Sequence, residues 1–173
     1  MHIIDRQHVM PALFKLFASI KLIVFDFDGV FTDNCVYVTE AGVESVRCWR
    51  SDGIGIARLH DYGVGTMILS KEKNPVVSMR SRKLGIECIQ GVDDKAAAIF
   101  EIAQRREINL QDISFVGNDI NDIPALKHVG VPVAVADAYP EILPYVVHRT
   151  NKPGGKGAVR EVCDLIINAK MTS

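Results

Sequence analysis

The amino-acid sequence predicts an α/β fold, in which helices cover both faces of a doubly wound parallel sheet. Short apolar runs that suit buried strands alternate along the chain with stretches whose apolar residues recur at helical spacing. The loops between them are short, and no repeat or linker interrupts the alternation. This alternation is typical of a Rossmann-like architecture, which binds ligands at the carboxyl ends of its strands.

The composition is that of an ordinary globular protein. The 173 residues fit one domain, 1–173, with a substantial core. The net charge of −1 gives no reason to expect nucleic acid or an anionic membrane as a partner, and no apolar run suits a membrane span. The start of the chain lacks the features of a signal peptide. Because the four cysteines lack zinc spacing, we expect reduced thiols in a cytoplasmic protein.

A helix, a buried strand and a hairpin are predicted at the start of the chain. Apolar residues at helical spacing predict an amphipathic helix over residues 6–19. The apolar run that follows predicts a strand over residues 21–27. Apolar residues then alternate with polar ones on both sides of a turn at residues 40–42, which predicts a β-hairpin over residues 34–49.

Capping residues and stop residues mark the elements that follow. Ser51 can cap a helix that Gly63 ends, and Asn74 can cap the next helix, with Pro75 at its first position. Gly85 ends that second helix. The remaining elements are expected as strands at 64–69, 86–89, 113–116 and 131–135, helices at 93–106 and 157–169, a helix that runs to residue 128, and a short helical segment at 139–144.

Two carboxylates end the first predicted strand. Residues two apart in a strand point to the same side, so Asp26 and Asp28 are expected to lie together at its carboxyl end. Two like charges held this close favour a divalent cation, a shared proton or chemistry that uses both groups. An acidic turn after a strand would show the same pattern, so this stretch alone leaves both interpretations open.

Other polar residues follow the other strands and are expected at the same edge of the sheet. The full set is Asp26, Asp28, Ser70, Lys71, Lys95, Asn118, Asp119 and Asp122. Carboxylate and amide oxygens suit Mg²⁺, and a serine and lysines near helix N-termini suit a phosphate group. The set contains no histidine or cysteine, so zinc chemistry and Cys–His catalysis have no candidates. The inventory predicts phosphoryl transfer with an aspartate as nucleophile.

Four ordered motifs resemble those of the haloacid dehalogenase superfamily of phosphatases. They are residues 26–30 (DFDGV), Ser70, Lys95 and residues 117–122 (GNDIND). A narrower resemblance is to the subgroup of 3-deoxy-D-manno-octulosonate 8-phosphate phosphatases and nonulosonate (acylneuraminate) 9-phosphate phosphatases. The residues that carry this narrower resemblance are 28–33, the hairpin, 51–55 and 154–161.

The resemblance implies a role for each matching residue. Asp26 is expected to be the nucleophile that becomes an aspartyl-phosphate, and Asp28 to be the general acid and base. Ser70 and Lys95 are expected to hold the phosphoryl oxygens. Lys71 is expected either to bind phosphate or a substrate carboxylate or simply to be solvated.

The same resemblance implies a Mg²⁺ site, formed by Asp26, Asp28 through its main-chain carbonyl, Asn118 and Asp119. Asp122 is expected to support the metal and the lysine from behind. Asn118 departs from the aspartate common at its position, and one fewer negative charge predicts weaker metal affinity. Arg160 is expected either to meet a sugar-acid carboxylate, since this tail contributes to neighbouring active sites in the subgroup, or to be an ordinary surface arginine.

The intervals between the motifs leave no room for a cap domain, which closes the site in larger members of the superfamily. The hairpin carries more apolar side chains than a small ribbon can bury. We therefore expect a homo-oligomer, and from the resemblance a homotetramer, in which a neighbouring copy covers the site.

Several alternatives stay open at this point. The substrate is expected to be a sugar-acid phosphate, either an octulosonate 8-phosphate or a nonulosonate 9-phosphate. A receiver-like signalling module also uses an acidic sheet edge, Mg²⁺, a hydroxyl and a lysine, but its phosphorylated aspartate follows a later strand. A third interpretation is a non-catalytic assembly domain of the kind associated with a sugar cytidylyltransferase, although such domains tend to lose the nucleophile.

Overall fold

A computed structural model describes residues 6–172 of the protein and the side chains of residues 12–172. A parallel six-stranded sheet forms its centre. Residues 1–5 and 173 of the expected single domain lie outside this description. The strands are β1 (Leu22–Phe25), β2 (Thr32–Val38), β3 (Glu44–Cys48), β4 (Gly65–Leu69), β5 (Glu87–Ile89), β6 (Ile113–Gly117), β7 (Val131–Ala134) and β8 (His148–Arg149). The helices are α1 (Arg6–Ser19), α2 (Asp52–Asp61), α3 (Val76–Leu84), α4 (Lys95–Arg106), α5 (Ile123–Leu126) and α6 (Ala158–Met171), with 3-10 turns at Leu110–Asp112, Ile120–Asp122 and Pro140–Tyr145.

The strand order β5-β4-β1-β6-β7-β8 places β1 in the middle of the sheet. All pairings in this sheet are parallel, and β1 pairs with β4 on one side and β6 on the other. In the register, Phe25 lies opposite Ile68 of β4 and Val116 of β6, so these three strands end at the same edge. The direction of winding reverses beside β1, and a sheet of this kind binds its ligands at that switch point.

The core follows from the strand sequences. Every residue of β1, β6 and β7 is buried, as expected for strands covered on both faces. Helix α6 packs against α1 and α2, and α4 contacts α5. Right-handed crossovers place α2 and α3 on one face of the sheet and α4 and α5 on the other. The predicted α/β class, with helices on both faces, is confirmed.

Three expected local details differ from the structure. The Ser51 side chain makes no capping hydrogen bond to α2. Asn74 does accept a hydrogen bond from the main-chain N–H of Val76 at 3.1 Å, but α3 begins one residue after Pro75. The helix expected to run to residue 128 is broken into a 3-10 turn and the short α5, because the side chain of Asp122 turns inward to bind the main chain of its own loop.

The hairpin of β2 and β3 stands apart from the main sheet and pairs only with itself among the described residues. Val36 lies opposite Val46, and the register shifts between Thr32 and Val36. The apolar side chains of the ribbon are largely exposed, with Val36, Tyr37 and Val38 at 56%, 60% and 61%. No helix within residues 6–172 is long and apolar enough to span a bilayer.

Candidate active site

The DxD loop (residues 26–33) leaves the carboxyl end of β1 and places Asp26 almost fully inside the protein. The main-chain N–H of Asp26 donates to Val116 of β6 at 2.9 Å, which continues the strand pairing. Asp26 is only 4% exposed, and its Oδ1 atom accepts a hydrogen bond from the N–H of Phe27 at 2.7 Å. One oxygen of the carboxylate is therefore fixed by a hydrogen bond, and the other oxygen is available to react.

Lys95 neutralises part of this buried charge. It is the first residue of α4, whose N-terminus is capped by Asp94 accepting from the N–H of Ala97 at 3.0 Å. The ammonium group lies 2.9 Å from Asp26 and 2.6 Å from Asp122, and the residue is 1% exposed. Burial alone would lower the pKa of Lys95, but the charges of Asp26 and Asp122 outweigh burial and raise the pKa. Lys95 is thus held as a cation.

Asp122 links the lysine to the loop that follows β6. Its Oδ1 accepts from Lys95, and its Oδ2 accepts from the main-chain N–H groups of Asn118 at 2.8 Å and Asp119 at 3.3 Å. A methyl group on Gly117 would lie 2.4 Å from Oδ2, so only glycine leaves room for this carboxylate. We call Asp26, Lys95 and Asp122 the edge cluster.

The electrostatics of the site favour a bound cation or a held proton. Burial, followed by the charge of Asp122, raises the pKa of Asp26 to about 7, although Lys95 acts in the opposite direction. Burial, followed by the charge of Glu72, also raises the pKa of Asp28, again against Lys95. One lysine does not compensate the carboxylates gathered here, so additional positive charge would be accommodated favourably.

Asn118 lies against the DxD loop from the other side. The residue is 6% exposed, and a methyl group on Gly29 would lie 2.0 Å from its Nδ2 atom. Gly29 also has a φ of +74°, a conformation that glycine adopts without strain. Asn118 and the Asp28–Gly29 backbone are therefore immediate neighbours.

The donor set fits a hard divalent cation. The neighbouring groups are the carboxylates of Asp26 and Asp28, the main-chain carbonyls of their loop and the amide of Asn118, all of which offer oxygen ligands. Within the described part of the chain, no three His, Cys, Asp or Glu side chains are grouped closely enough to hold a metal by themselves. Asp119 caps the 3-10 turn by accepting from the N–H of Ile120 at 2.7 Å. Its expected role as a metal ligand stays a prediction.

An open cleft of about 390 Å³ lies over these groups. Its lining residues are Asp26, Asp28, Ser70, Lys71, Glu72, Lys73 and Asn121. The Oγ of Ser70 accepts from the N–H of Glu72 at 3.1 Å, and the ammonium of Lys71 lies 3.7 Å from Asp93. The structure thus brings Ser70 and Lys71 to the same cleft as the two aspartates.

Glu72, Lys73 and Asn121 are cleft residues that the sequence analysis did not single out. Glu72 and Lys73 share the loop after β4 with Ser70, and Asn121 lies inside the GNDIND motif. Their place in these loops was the available signal. Neither hydrophobic pattern nor residue type indicated which side chains of a loop face the cleft.

Arg160 does not reach the cleft of its own chain. Its Nε donates to Asp164 at 2.7 Å on the same helix, and its stem packs over Gly55, where a methyl group would lie 2.8 Å from its Cδ atom. A contact between Arg160 and substrate would have to be made in the cleft of a neighbouring copy, and it stays a prediction.

Fold and cleft together define a phosphoryl-transfer class, and comparison with known proteins identifies the family. The family model described as haloacid dehalogenase-like hydrolase matches residues 67–161. The chain is also 36% identical over 154 residues to the 3-deoxy-D-manno-octulosonate 8-phosphate phosphatase KdsC of Yersinia pestis, covering 88% of this chain and 82% of that one. The chain therefore belongs to the haloacid dehalogenase-like hydrolases, and the predicted enzyme class, a phosphatase, is confirmed.

Solved structures agree with this assignment. A HAD superfamily (subfamily III A) hydrolase from Legionella pneumophila superposes with a TM-score of 0.93 at 34% identity, covering 96% of this chain and 92% of that one. The 3-deoxy-D-manno-octulosonate 8-phosphate phosphatase from Moraxella catarrhalis, in complex with magnesium ion, phosphate ion and a KDO molecule, gives a TM-score of 0.91 at 30% identity and 94% coverage of both chains. The resemblance to this family of phosphatases, stated from the motifs, is confirmed.

Proposed function

We propose that the protein is a Mg²⁺-dependent phosphatase that hydrolyses a sugar-acid phosphate of the 3-deoxy-D-manno-octulosonate 8-phosphate kind. The observation that carries the proposal is the edge cluster, in which Lys95 holds Asp26 at 2.9 Å beside Asp28 and the cleft. The names of the Yersinia and Moraxella relatives support the substrate class. A nonulosonate 9-phosphate is the alternative within the same class.

In this proposal Asp26 is the nucleophile. One of its oxygens is held by Phe27 and Lys95, so the other can attack the phosphorus atom in a fixed orientation. The new bond joins the Asp26 oxygen to phosphorus while the bond from phosphorus to the sugar oxygen breaks. The product of this first step is an aspartyl-phosphate and a sugar alcohol, which needs a proton.

In this proposal Asp28 supplies that proton and later takes up another one from water. Its pKa is raised by burial and by Glu72, which favours the protonated carboxyl that can donate to the leaving oxygen. As a carboxylate it then accepts a proton from water, whose oxygen attacks phosphorus. The bond between Asp26 and phosphorus breaks, phosphate leaves, and both aspartates return to their starting state.

The metal would be held by Asp26, the Asp28 main-chain carbonyl and Asn118, with Asp119 as a further candidate. When bound, Mg²⁺ supplies positive charge that offsets the charge of the phosphoryl oxygens. Ser70 and Lys95 contribute hydrogen-bond donors to the same oxygens. Lys71 and Lys73 line the cleft beyond them and suit the carboxylate of a sugar acid.

Self-association is part of the proposal. The hairpin exposes Val36, Tyr37 and Val38, and Trp49 at its base is 45% exposed, which is more apolar surface than a solitary ribbon normally presents. We propose a homotetramer in which a neighbouring hairpin narrows the open cleft. The four cysteines are free, and a cytoplasmic location is part of the same proposal.

Release of inorganic phosphate tests the proposal directly. Purified protein is assayed with and without Mg²⁺ on octulosonate and nonulosonate phosphates, with simple sugar phosphates as the comparison. We expect Mg²⁺-dependent release that is fastest for one of the two sugar acids and that Asp26→Asn abolishes. No release from any of these compounds contradicts the proposed activity, and full activity of Asp26→Asn contradicts the assigned nucleophile.

A further inference from the structure

A turn formed by two consecutive glycines packs directly beneath the DxD loop. This diglycine turn (Gly154 and Gly155) lies between β8 and α6, far along the chain from Asp28. The main-chain N–H of Gly155 donates to the carbonyl oxygen of Val30 at 3.0 Å. The contact is therefore made between two backbones, without any side chain on the turn.

The two backbones are closer than any side chain would permit. A methyl group on Gly154 would lie 1.9 Å from the carbonyl oxygen of Gly29, and one on Gly155 would lie 2.3 Å from the main-chain nitrogen of Asp33. The atoms that would be struck belong to the main chain, so no rotamer change could relieve the clash. Any side chain on this turn would have to displace the DxD loop.

The loop also contacts Asn118, which limits how far it can move. On the side away from the turn, Gly29 already lies against Asn118, where even a methyl group would come within 2.0 Å of the amide nitrogen. Within the loop, the N–H of Gly29 donates to the hydroxyl of Thr32 at 3.1 Å, and the N–H groups of residues 30–32 share the carbonyl oxygen of Phe27. Asn118, Gly29 and Gly154 therefore form one closely packed stack.

A second connection joins the turn to Asn118 through the loop after β7. The N–H of Gly154 donates to the Oδ1 of Asp137 at 2.8 Å, and two residues later the N–H of Tyr139 donates to the carbonyl oxygen of Asn118 at 2.8 Å. The diglycine turn is thus tied both to the loop that carries Asp28 and to the loop that carries Asn118.

We propose that the diglycine turn is a positioning element of the active site, which sets the separation between Asp28 and Asn118 by clamping the backbone between them. The inference rests on the proposed function for its catalytic meaning. The groups that it positions come from two loops whose strand ends are already joined by the pairing of β1 with β6 and by the edge cluster. The turn adds a fixed contact beyond those strand ends, at Gly29, and displacements of about 1 Å at a reacting group can cost about 100-fold in rate.

Gly155→Ala tests the inference, with Gly63→Ala as the matched control. Gly155 has a φ of +61° and Gly63 a φ of +71°, so alanine suffers similar backbone strain at both positions. Nothing lies within 4 Å of a methyl group on Gly63, whereas Gly155 abuts the DxD loop. The pair separates the effect of strain from the effect of displacing the loop.

We expect Gly155→Ala to lose more thermal stability than Gly63→Ala, because only its methyl group strikes main-chain atoms, and we expect the two variants to differ in every property of the site. Gly155→Ala should lower kcat by about 100-fold with little change in KM, because the lysines of the cleft are untouched. The rise in melting temperature that Mg²⁺ produces, measured without substrate, should be largely lost, in line with about 10–100-fold weaker metal binding. Gly63→Ala should keep both properties.

Asp137→Ala and Asp137→Asn provide a second test that adds no steric bulk and decides the matter if Gly155→Ala does not fold. The alanine removes the acceptor for the Gly154 N–H, and asparagine restores an oxygen there. We expect a smaller Mg²⁺-induced shift for the alanine variant and recovery for the asparagine variant. Equal shifts in wild type, Gly155→Ala and Asp137→Ala overturn the inference, as does a wild-type protein without any Mg²⁺-induced shift. If the Mg²⁺-induced shifts differ between the variants as expected but no phosphate is released, only the proposed function is overturned.

Discussion

The edge cluster and the hairpin combine burial and polarity in opposite ways. Asp26, Lys95 and Asp122 are charged, yet they are 4%, 1% and 0% exposed. Val36 and Val38 are apolar, yet they are 56% and 61% exposed. The cluster tolerates burial because each of its charges has a partner in the same chain, whereas the hairpin lacks a partner for its apolar surface among the described residues. The charged groups of the edge cluster are thus paired within one chain, whereas the proposed cover of the cleft would come from a neighbouring copy.

Lys95→Met should have the largest effect, because it breaks the balance of charge inside the cluster. It leaves two carboxylates buried without their cation, which is expected to lower the free energy of unfolding by about 3–5 kcal/mol. Phosphate release should be lost as well. Urea unfolding of both Lys95→Met and Lys71→Met measures the contrast, since Lys71 is a lysine of the same cleft with a side chain 63% exposed. We expect Lys71→Met to change stability by no more than about 0.5 kcal/mol. Similar stabilities for the two variants would contradict the charge balance described for the cluster.

Charged residues on the hairpin should prevent it from associating with a neighbouring copy and should leave the edge cluster intact. The double variant Val36→Glu, Val38→Glu is expected to reduce the mass in solution to that of one chain, because buried unpaired carboxylates are costly at an interface. With the cleft uncovered, KM should rise by about tenfold while the Mg²⁺-induced stabilisation persists. Light scattering and steady-state kinetics provide the readout.

Met171→Glu is the control for the hairpin variant, since Met171 is 66% exposed but lies at the end of α6. It should leave both mass and KM unchanged. A wild-type protein that is already a monomer at working concentrations would contradict the proposed assembly.

Asp52 offers a third test, because it is buried with an incomplete set of partners. Its Oδ1 accepts from the N–H of Arg160 at 3.1 Å, but its Oδ2 has no hydrogen-bond partner. Burial raises its pKa from 3.8 to about 6, although the hydrogen bond from Arg160 opposes this. The folded state therefore binds this proton more tightly than the unfolded state, so the contribution of Asp52 to stability should fall as pH rises from about 4 through about 6 and then stay constant.

Asp52→Asn should remove the part of the pH dependence that Asp52 contributes and leave the part that comes from Asp26 and Asp28. It should be more stable than wild type by about 1–2 kcal/mol at neutral pH. At pH about 4 the two proteins should have nearly equal stability. Melting temperatures across this range provide the measurement, with Asp61→Asn at the other end of α2 as the control. A wild-type protein that gains stability between these pH values would show that the Asp52 carboxylate is compensated after all.

Asn118→Asp should have the smallest effect and tests the charge of the site alone. The added carboxylate is expected to lower the Mg²⁺ concentration for half-maximal stabilisation by roughly threefold to tenfold. Asn121→Asp places the same charge elsewhere in the cleft and should change it less. Equal effects of both substitutions would mean that general attraction, and not coordination at residue 118, controls metal affinity.

Residue types and spacing were sufficient to predict the sheet and the edge at which its polar residues meet. Asp26, Lys95 and Asp122 are far apart in the sequence, but each follows a strand or opens a helix, so the topology of the fold brings them together. Residue types do not show which way the side chains of a loop point. Glu72 and Lys73 are therefore not predicted as cleft residues, and the predicted cap by Ser51 is wrong.

The packing of the diglycine turn lay beyond sequence reasoning for a different reason. Gly154 and Gly155 lie just before the helix predicted at residues 157–169, and the structure does place them in a turn ahead of α6. Their close approach to the DxD loop depends on how β8 and α6 are placed against β1. No pattern within the turn reports a distance between two distant stretches of backbone.

The stack of Asn118, Gly29 and Gly154 also bears on how new substrates could arise in this fold. At Gly29 and Gly154 the smallest possible enlargement, a single methyl group, already collides with a neighbour. Substitutions that enlarge these residues step by step are therefore not tolerated beneath the reacting centre. At the mouth of the cleft, Lys71 and Lys73 are exposed, so the packing of the fold does not constrain which side chains stand there. Divergence among enzymes built this way should therefore proceed at the mouth, with the hydrolytic step inherited unchanged.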